Sequence, residues 1–319
     1  MIDLEAIFDY ICSGKQIDRE TSHRLATLPD PKPLLKLADR LRRHFHGNRF
    51  SLCSIINVRS GNCSEDCRFC AQASRHHTGI KTYSLIDSQK ALTIALDTDR
   101  HGVSRLSLVS SGRQANASLL DKLAHLYSML GQETSLDFCA SLGFLSAEKA
   151  VRLREMGVTR YHCNLETCRE FFPEICSTHS YDDKVETLKQ AQAAGLSRCS
   201  GGIIGLGESM EHRLELAFEL HALGIRSIPI NILTPIKETP LAQQRVLETE
   251  EVLTTVALFR IINPQAVIRI AGGRQQLGDE QYRCFISGAN GAIVGNYLTT
   301  VGSSIAEDLR RIAALGYFL

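Results

Sequence analysis

No sign of charge dominates this 319-residue chain: 36 Lys and Arg stand against 35 Asp and Glu, a formal net charge of +1. Without a strong global field it is a poor candidate for nucleic-acid binding or for docking on an anionic membrane. Long apolar runs are missing too, since none approaches the roughly 18 residues of a membrane span. The opening MIDLEAIFDYICSGKQ is acidic and lacks the basic and apolar regions of a secretory leader. A cytoplasmic protein is expected. Low-complexity segments, interdomain linkers and repeats beyond a strand–helix unit are absent. What the chain does carry is cysteine. The 11 cysteines, an odd number with no export signal, read as metal ligands and buried thiols rather than a disulfide framework.

Periodicity divides the chain into a helical lead-in over residues 1–50 and a barrel domain over 51–319. The lead-in is read from LEAIFDYICSG, a turn at Pro31 and Pro33, and PLLKLADRLRRHFHG with apolar residues at helical spacing. Strands are expected at 51–58, 105–111, 135–141, 160–166, 197–205, 227–233, 266–273 and 292–296. Helices fall between them, such as SYDDKVETLKQAQAAG and ESMEHRLELAFELHALG, each closed by a glycine suited to a C-cap. Eight strands alternating with helices spell an α/β fold, a (β/α)8 TIM-type barrel; an open doubly wound sheet is the alternative. In such a barrel the active site lies at the carboxyl ends of the strands.

Directly after the first strand comes SGNCSEDCRFCAQ, in which Cys63, Cys67 and Cys70 form a C-x3-C-x2-C triad with Phe69 before the last cysteine. Three thiolates on one loop can hold three irons of a 4Fe-4S cluster and leave the fourth open for chemistry. A three-cysteine zinc site is the competing reading, but such sites usually pair two short motifs, and no second C-x2-C or H-x3-H follows. The triad resembles the radical S-adenosylmethionine (SAM) superfamily, which implies SAM bound at the open iron and a 5′-deoxyadenosyl radical that removes hydrogen from unactivated carbon.

Five ordered segments sharpen the resemblance: CSEDCRFCAQASRHHTG, NLET at Asn164 to Thr167, CSGGIIGLGE at Cys199 to Glu208, PINIL at Pro229 to Leu233 and IRIAGGR at Ile268 to Arg274. Together they resemble the biotin synthase family, over about Leu35 to Gly316. That implies sulfur insertion into dethiobiotin. Gly201 and Gly205 allow close backbone approach to a flat ligand or a tight strand-to-helix turn. The resemblance implies a SAM site of Phe69, Ser110, Asn164, Glu166, Lys184 and Ile203. Asn164 and Glu166 share a strand face suited to ribose hydroxyls, although relatives usually place Asp at the second position and Arg at that of Lys184. A helix-surface lysine is the alternative for Lys184. Substrate contacts are expected from Arg59, Asn164, Asn231, Thr299 and Thr300. A flavodoxin- or ferredoxin-type electron donor and a homodimer are implied by the family alone.

The family's second cluster, 2Fe-2S on three cysteines and an arginine, is where this chain departs. The matching positions are Ser107, Cys139, Cys199 and Arg269, so one thiolate is lost. Cys163, Cys168 and Cys176 are extra. Parity turns Cys163 toward the helices, so Cys176 is the expected replacement, with Cys168 second, and such a set could hold a four-iron cluster with an extra sulfide. Free thiols are the plainer reading of the trio, and Cys12, Cys53 and Cys284 are taken as structural. The lost ligand keeps a second function open: a related radical SAM amino-acid lyase, mutase or hydrogenase maturase that inserts no sulfur.

Overall fold

The computed structural model of the chain describes residues 2–295 and 304–319. Three helices lead in: α1 (Leu4–Cys12), α2 (Arg19–Ala26) and α3 (Lys32–His46). Strands and helices then alternate: β1 (Ser51–Arg59), α4 (Ser88–Arg100), β2 (Arg105–Ser110), α5 (Ala117–Glu133), β3 (Asp137–Ser141), α6 (Ala147–Glu155) and β4 (Val158–His162). The second half runs α7 (Tyr181–Ala193), β5 (Ser197–Cys199), β6 (Gly202–Ile204), α8 (Met210–Ala222), β7 (Ser227–Ile232), α9 (Thr249–Ile262), β8 (Val267–Ile270), β9 (Gly291–Ile293) and α10 (Ile305–Ala314). The loops feeding the helices end in capping residues. The side chains of Asp87, Asn116, Ser146, Ser180, Ser209 and Ser304 each accept a first-turn backbone N–H.

The strands pair in parallel in the order β5-β4-β3-β2-β1-β9-β8-β7-β6. β5 and β6 are halves of one kinked segment, the first paired with β4 and the second with β7, so the chain itself joins the two ends of the sheet. Across the kink, Leu165 N and Glu166 N donate to Gly201 O, and Ser200 N donates to Ser227 O. Counting that segment once, the nine strand pieces make the expected eight-membered ring. The kink has a steric basis: a Cβ on Gly201 would lie 1.9 Å from the Pro229 carbonyl oxygen. The close approach at Gly201 is backbone on backbone, not backbone on a flat ligand. β4 also stops earlier than expected, at His162, and Glu166 takes a left-handed φ of 72° beyond it.

Register sets the depth of each lumen residue. Ile55, Ser107, Cys139 and Arg160 lie level across β1 to β4, and Pro229, Arg269, Gly291 and Ser51 lie level from β7 round to β1. On β1, Cys53 and Ile55 face the lumen cavity, while Leu52, Ile56 and Val58 join the core shared with the helices. Outside the ring, α3 packs on α9, α1 on α3, and α2 on α8 and α9, so the lead-in helices cover the barrel wall. Among the described residues no helix is long and apolar enough to cross a membrane.

Candidate active site

The triad loop leaves β1 and closes on itself: Cys63 N donates to Gln72 O (3.0 Å), Ser74 N to Cys63 O (2.8 Å) and Cys70 N to Cys67 O (3.0 Å). Its turn needs Gly61, whose φ is 74° and whose added Cβ would sit 2.4 Å from the Thr82 methyl. Phe69 and Cys70 from this loop line a cavity of about 390 Å³ in the barrel. The same cavity is lined by Asn164, Glu166, Ile203 and Asn231, and by Cys53, Ser107, Cys139, Cys199 and Arg269. One chamber therefore joins the triad loop to the thiols and arginine of the strands.

Glu166 is aimed by its neighbours despite its left-handed backbone. Asn164 Nδ2 donates to its Oε2 (3.2 Å), Lys184 Nζ lies 3.7 Å from its Oε1, and Ile203 N donates to its carbonyl (2.8 Å). Lys184 is buried on α7, not on the helix surface, so its ammonium serves Glu166. Asn164 Oδ1 accepts from Gly201 N (3.1 Å). Ser110 Oγ donates to Ser111 O, and Ser111 Oγ donates to Gly61 O, which ties the end of β2 to the triad loop. Asn231 spends one hydrogen on Gly202 O (3.1 Å) and accepts from Gly272 N (3.0 Å), leaving one donor and one lone pair toward the chamber. Arg59 ends β1 near Gly112 and does not line the chamber. Thr299 and Thr300 lie outside the described residues.

Deep in the lumen, Arg269 Nη1 donates to Ser227 Oγ (2.9 Å), Arg269 Nη2 to Ser51 Oγ (2.7 Å), and Ser227 Oγ donates to Cys199 Sγ (3.2 Å). Arg269 Nε and Ser107 Oγ are buried and have no hydrogen-bond partner among the described residues. Burial opposes ionisation of Cys199, yet His162, Arg269 and Arg160 outweigh it and bring the thiol down to about 6. Burial, and then the charge of Cys139, push Cys53 up to about 12. Soft thiolates backed by guanidinium groups, beside two orphaned polar atoms, are a donor set suited to an iron–sulfur group.

Cys176 is elsewhere. Its sulfur lies 3.8 Å from Cys67 Sγ and 3.3 Å from His179 Nδ1, and it does not line the chamber with Cys139 and Cys199. The loop carrying it is pinned under the triad: Asp66 Oδ1 accepts from Ser177 N (2.9 Å) and Thr178 N (3.1 Å), and His179 pairs with Glu65 at 2.6 Å. Cys67, Cys176 and His179 bring their ligand atoms within 4.8 Å of one another, a spread suited to one ion rather than a multi-iron cluster. The hydrogen bond from Cys67 brings the Cys176 thiol down to about 4 against burial and the Asp66 carboxylate, and raises that of Cys67. Cys168 and Cys163 are buried and also miss the chamber. Cys176 as auxiliary ligand, with Cys168 second, is thus an expectation this geometry does not support. Cys53, taken as structural from the sequence, is the cysteine that does reach the lumen. Its signal was strand parity with Ile55; Arg160 and His162 could have been found by parity with Asn164.

Residues 57–220 match the radical SAM superfamily and residues 229–318 the biotin and thiamin synthesis associated domain. A biotin synthase from Acetivibrio thermocellus is 50% identical over 305 residues, covering 95% of each chain. One from Desulfotalea psychrophila is 53% identical over 284 residues, 89% of this chain and 84% of the relative. The chain belongs to the biotin synthase family. Among solved structures, methylornithine synthase superposes with a TM-score of 0.85 at 18% identity, covering 98% of this chain and 96% of that one. A hydrogenase maturase from Carboxydothermus hydrogenoformans gives 0.81 at 17%, covering 98% and 78%. At those identities they share the fold alone. This chain sets the triad loop, Cys139, Cys199 and Arg269 around one chamber, with serine at position 107.

Proposed function

We propose that the chain inserts sulfur into dethiobiotin to make biotin, as a radical SAM sulfurtransferase. The observation carrying this reading is that one chamber is lined at once by the triad loop, through Phe69 and Cys70, and by Cys139, Cys199 and Arg269. A radical generated at the triad end and a sulfur held at the strand end then face the same substrate. When bound, a 4Fe-4S cluster on Cys63, Cys67 and Cys70 with SAM supplies the radical that removes hydrogen from carbon, and the auxiliary iron–sulfur group supplies sulfur.

The chain's own residues position the reactants. Glu166, held by Asn164 and Lys184, presents carboxylate oxygens as acceptors for the ribose hydroxyls of SAM. Phe69 and Ile203 give apolar surface to its adenine, and the turn of Ser110 and Ser111 meets its methionine portion. The remaining donor and lone pair of Asn231 match the amide-like N–H and C=O of the ureido ring, with Asn164 beside it. Arg59, at the end of β1, is taken as a cationic substrate contact, and the hydroxyls of Thr299 and Thr300 as donors for the substrate carboxylate. A flavodoxin- or ferredoxin-type donor supplies electrons, and the working unit is a homodimer in the cytoplasm.

The test is an anaerobic assay with SAM, reductant and dethiobiotin, reading biotin and 5′-deoxyadenosine by mass spectrometry. Biotin with about two deoxyadenosines per product, one for each C–H bond cleaved, supports the reading. Deoxyadenosine released on amino acids but never with dethiobiotin would place the chain with the lyases and mutases instead.

A further inference from the structure

The cavity wall opposite Cys199 carries a thiol that the matching of family positions does not use. We propose that Cys53 on β1 supplies the thiolate missing at Ser107, so that the auxiliary iron–sulfur group is held by Cys53, Cys139, Cys199 and Arg269. The assignment rests on the sulfur-insertion reading above and deepens it.

Three observations converge on Cys53. First, it faces the lumen: Cys53 and Ile55 line the same chamber as Cys139, Cys199 and Arg269. The three other surplus cysteines of the β4 region, Cys163, Cys168 and Cys176, do not. Second, register places it on the strand next to the lost ligand. Ile55 pairs with Ser107 and Ser107 with Cys139, so Cys53 sits two residues earlier on β1. At about 3.3 Å per residue the donor has moved about 6–7 Å toward the amino-terminal end of the barrel. Cys53 therefore lies between the layer of Ser107 and Cys139 and that of Arg269, which is level through Gly291 with Ser51 and donates to the Ser51 hydroxyl. Third, the space between these groups is lined by polar atoms without partners. Arg269 is 2% exposed and Ser107 is 6% exposed, and among the described residues neither the Nε of the one nor the Oγ of the other has a partner. Buried polar atoms without partners cost free energy and call for a ligand. The guanidinium is locked by Ser227 and Ser51, so it is fixed before anything binds.

Serine is a hard, basic oxygen ligand and a poor substitute for a thiolate on iron–sulfide. Moving the thiolate one lumen layer down β1 restores three soft donors without changing the fold.

The experiment uses the full chain with Cys63, Cys67 and Cys70 all changed to alanine, so that iron retained after anaerobic reconstitution belongs to the strand site alone. Iron and sulfide per chain and the Mössbauer spectrum are read in this background and with each further change. Adding Cys53→Ala is expected to lower bound iron at least fivefold, as Cys139→Ala does, while adding Cys176→Ala leaves it unchanged. Cys53→Ala with Ser107→Cys is expected to regain iron with a shifted spectrum, which separates loss of a ligand from loss of folding. Full iron retention in Cys53→Ala, or loss in Cys176→Ala alone, would overturn the assignment while leaving sulfur insertion standing. A background protein that binds no iron would remove both.

Discussion

The arginine of the IRIAGGR segment that follows Arg269 offers a sharp test of how the chamber is built. Arg274 and Asp308 are both 0% exposed and pair through both guanidinium nitrogens, Nη1 to Oδ1 at 3.0 Å and Nη2 to Oδ2. Gln281 Oε1 accepts from Nη1 at 2.5 Å and Tyr282 Oη donates to Asp308 Oδ1 at 3.0 Å. The pair ties α10 to the turn after β8, where Gly272 and Gly273 form chamber wall. Changing Asp308 to alanine leaves a buried guanidinium without its carboxylate, which costs about 3–5 kcal/mol. At roughly 2–4 °C per kcal/mol for large domains, the melting temperature should fall by about 6–20 °C. Removing both charges together, as Arg274→Met with Asp308→Leu, should stay within about 2 kcal/mol of the parent because no charge is left to desolvate. Anaerobic thermal and urea unfolding of the three proteins measures this directly. A single variant that loses less than about 1 kcal/mol, or a double variant as unstable as the single one, would refute the reasoning.

Gly201→Ala should destabilise by about 1–3 kcal/mol or more and displace Cys199, because the new methyl meets the Pro229 carbonyl at 1.9 Å and neither backbone can yield; unfolding midpoints and iron content report it. Glu166→Gln keeps the shape but removes the charge facing Lys184, so SAM affinity by equilibrium dialysis should fall about tenfold, or 1.4 kcal/mol. An unchanged affinity would mean that Glu166 only holds its left-handed turn. His46 is held neutral, down to about 4, by burial and then by the Arg260 charge. With a folded value below the ordinary 6.5, its stability contribution is present above pH 6.5 and is lost as pH falls toward 4. The gross effect is about 3 kcal/mol, reduced to about 1–2 kcal/mol for a partly solvated ring. His46→Gln should flatten that acid slope in a pH series of unfolding midpoints.

Much of the ring was legible because parallel strands buried on both faces read as short β-branched runs between glycine-capped helices. The triad was legible as a C-x3-C-x2-C motif, and Cys139, Cys199 and Arg269 through the resemblance to the biotin synthase family. What failed depended on geometry that sequence order hides. Cys176 lies 3.8 Å from Cys67 of the triad and was expected as an auxiliary-cluster ligand with Cys139 and Cys199, because a loop position carries no parity to restrict it. Cys53 was passed over because it sits in a strand of continuous apolar character, where a thiol reads as one more core residue. Glu166 was drawn as strand, and its left-handed turn is dictated by contacts with Gly201 and Ile203 that only the closed ring brings together. Lys184 was expected at the SAM site with a helix-surface lysine as the alternative, and it is buried beside Glu166.

The central claim is that sulfur held by the strand cysteines enters a substrate activated from the triad end of the same chamber. Reconstituting the enzyme anaerobically with 34S-sulfide, removing free sulfide and running a single turnover with SAM, reductant and dethiobiotin tests it most directly. The account predicts 34S in the biotin formed, with deoxyadenosine released alongside it. Biotin carrying only sulfur of natural abundance, or deoxyadenosine with dethiobiotin left intact in protein that holds both clusters, would contradict it.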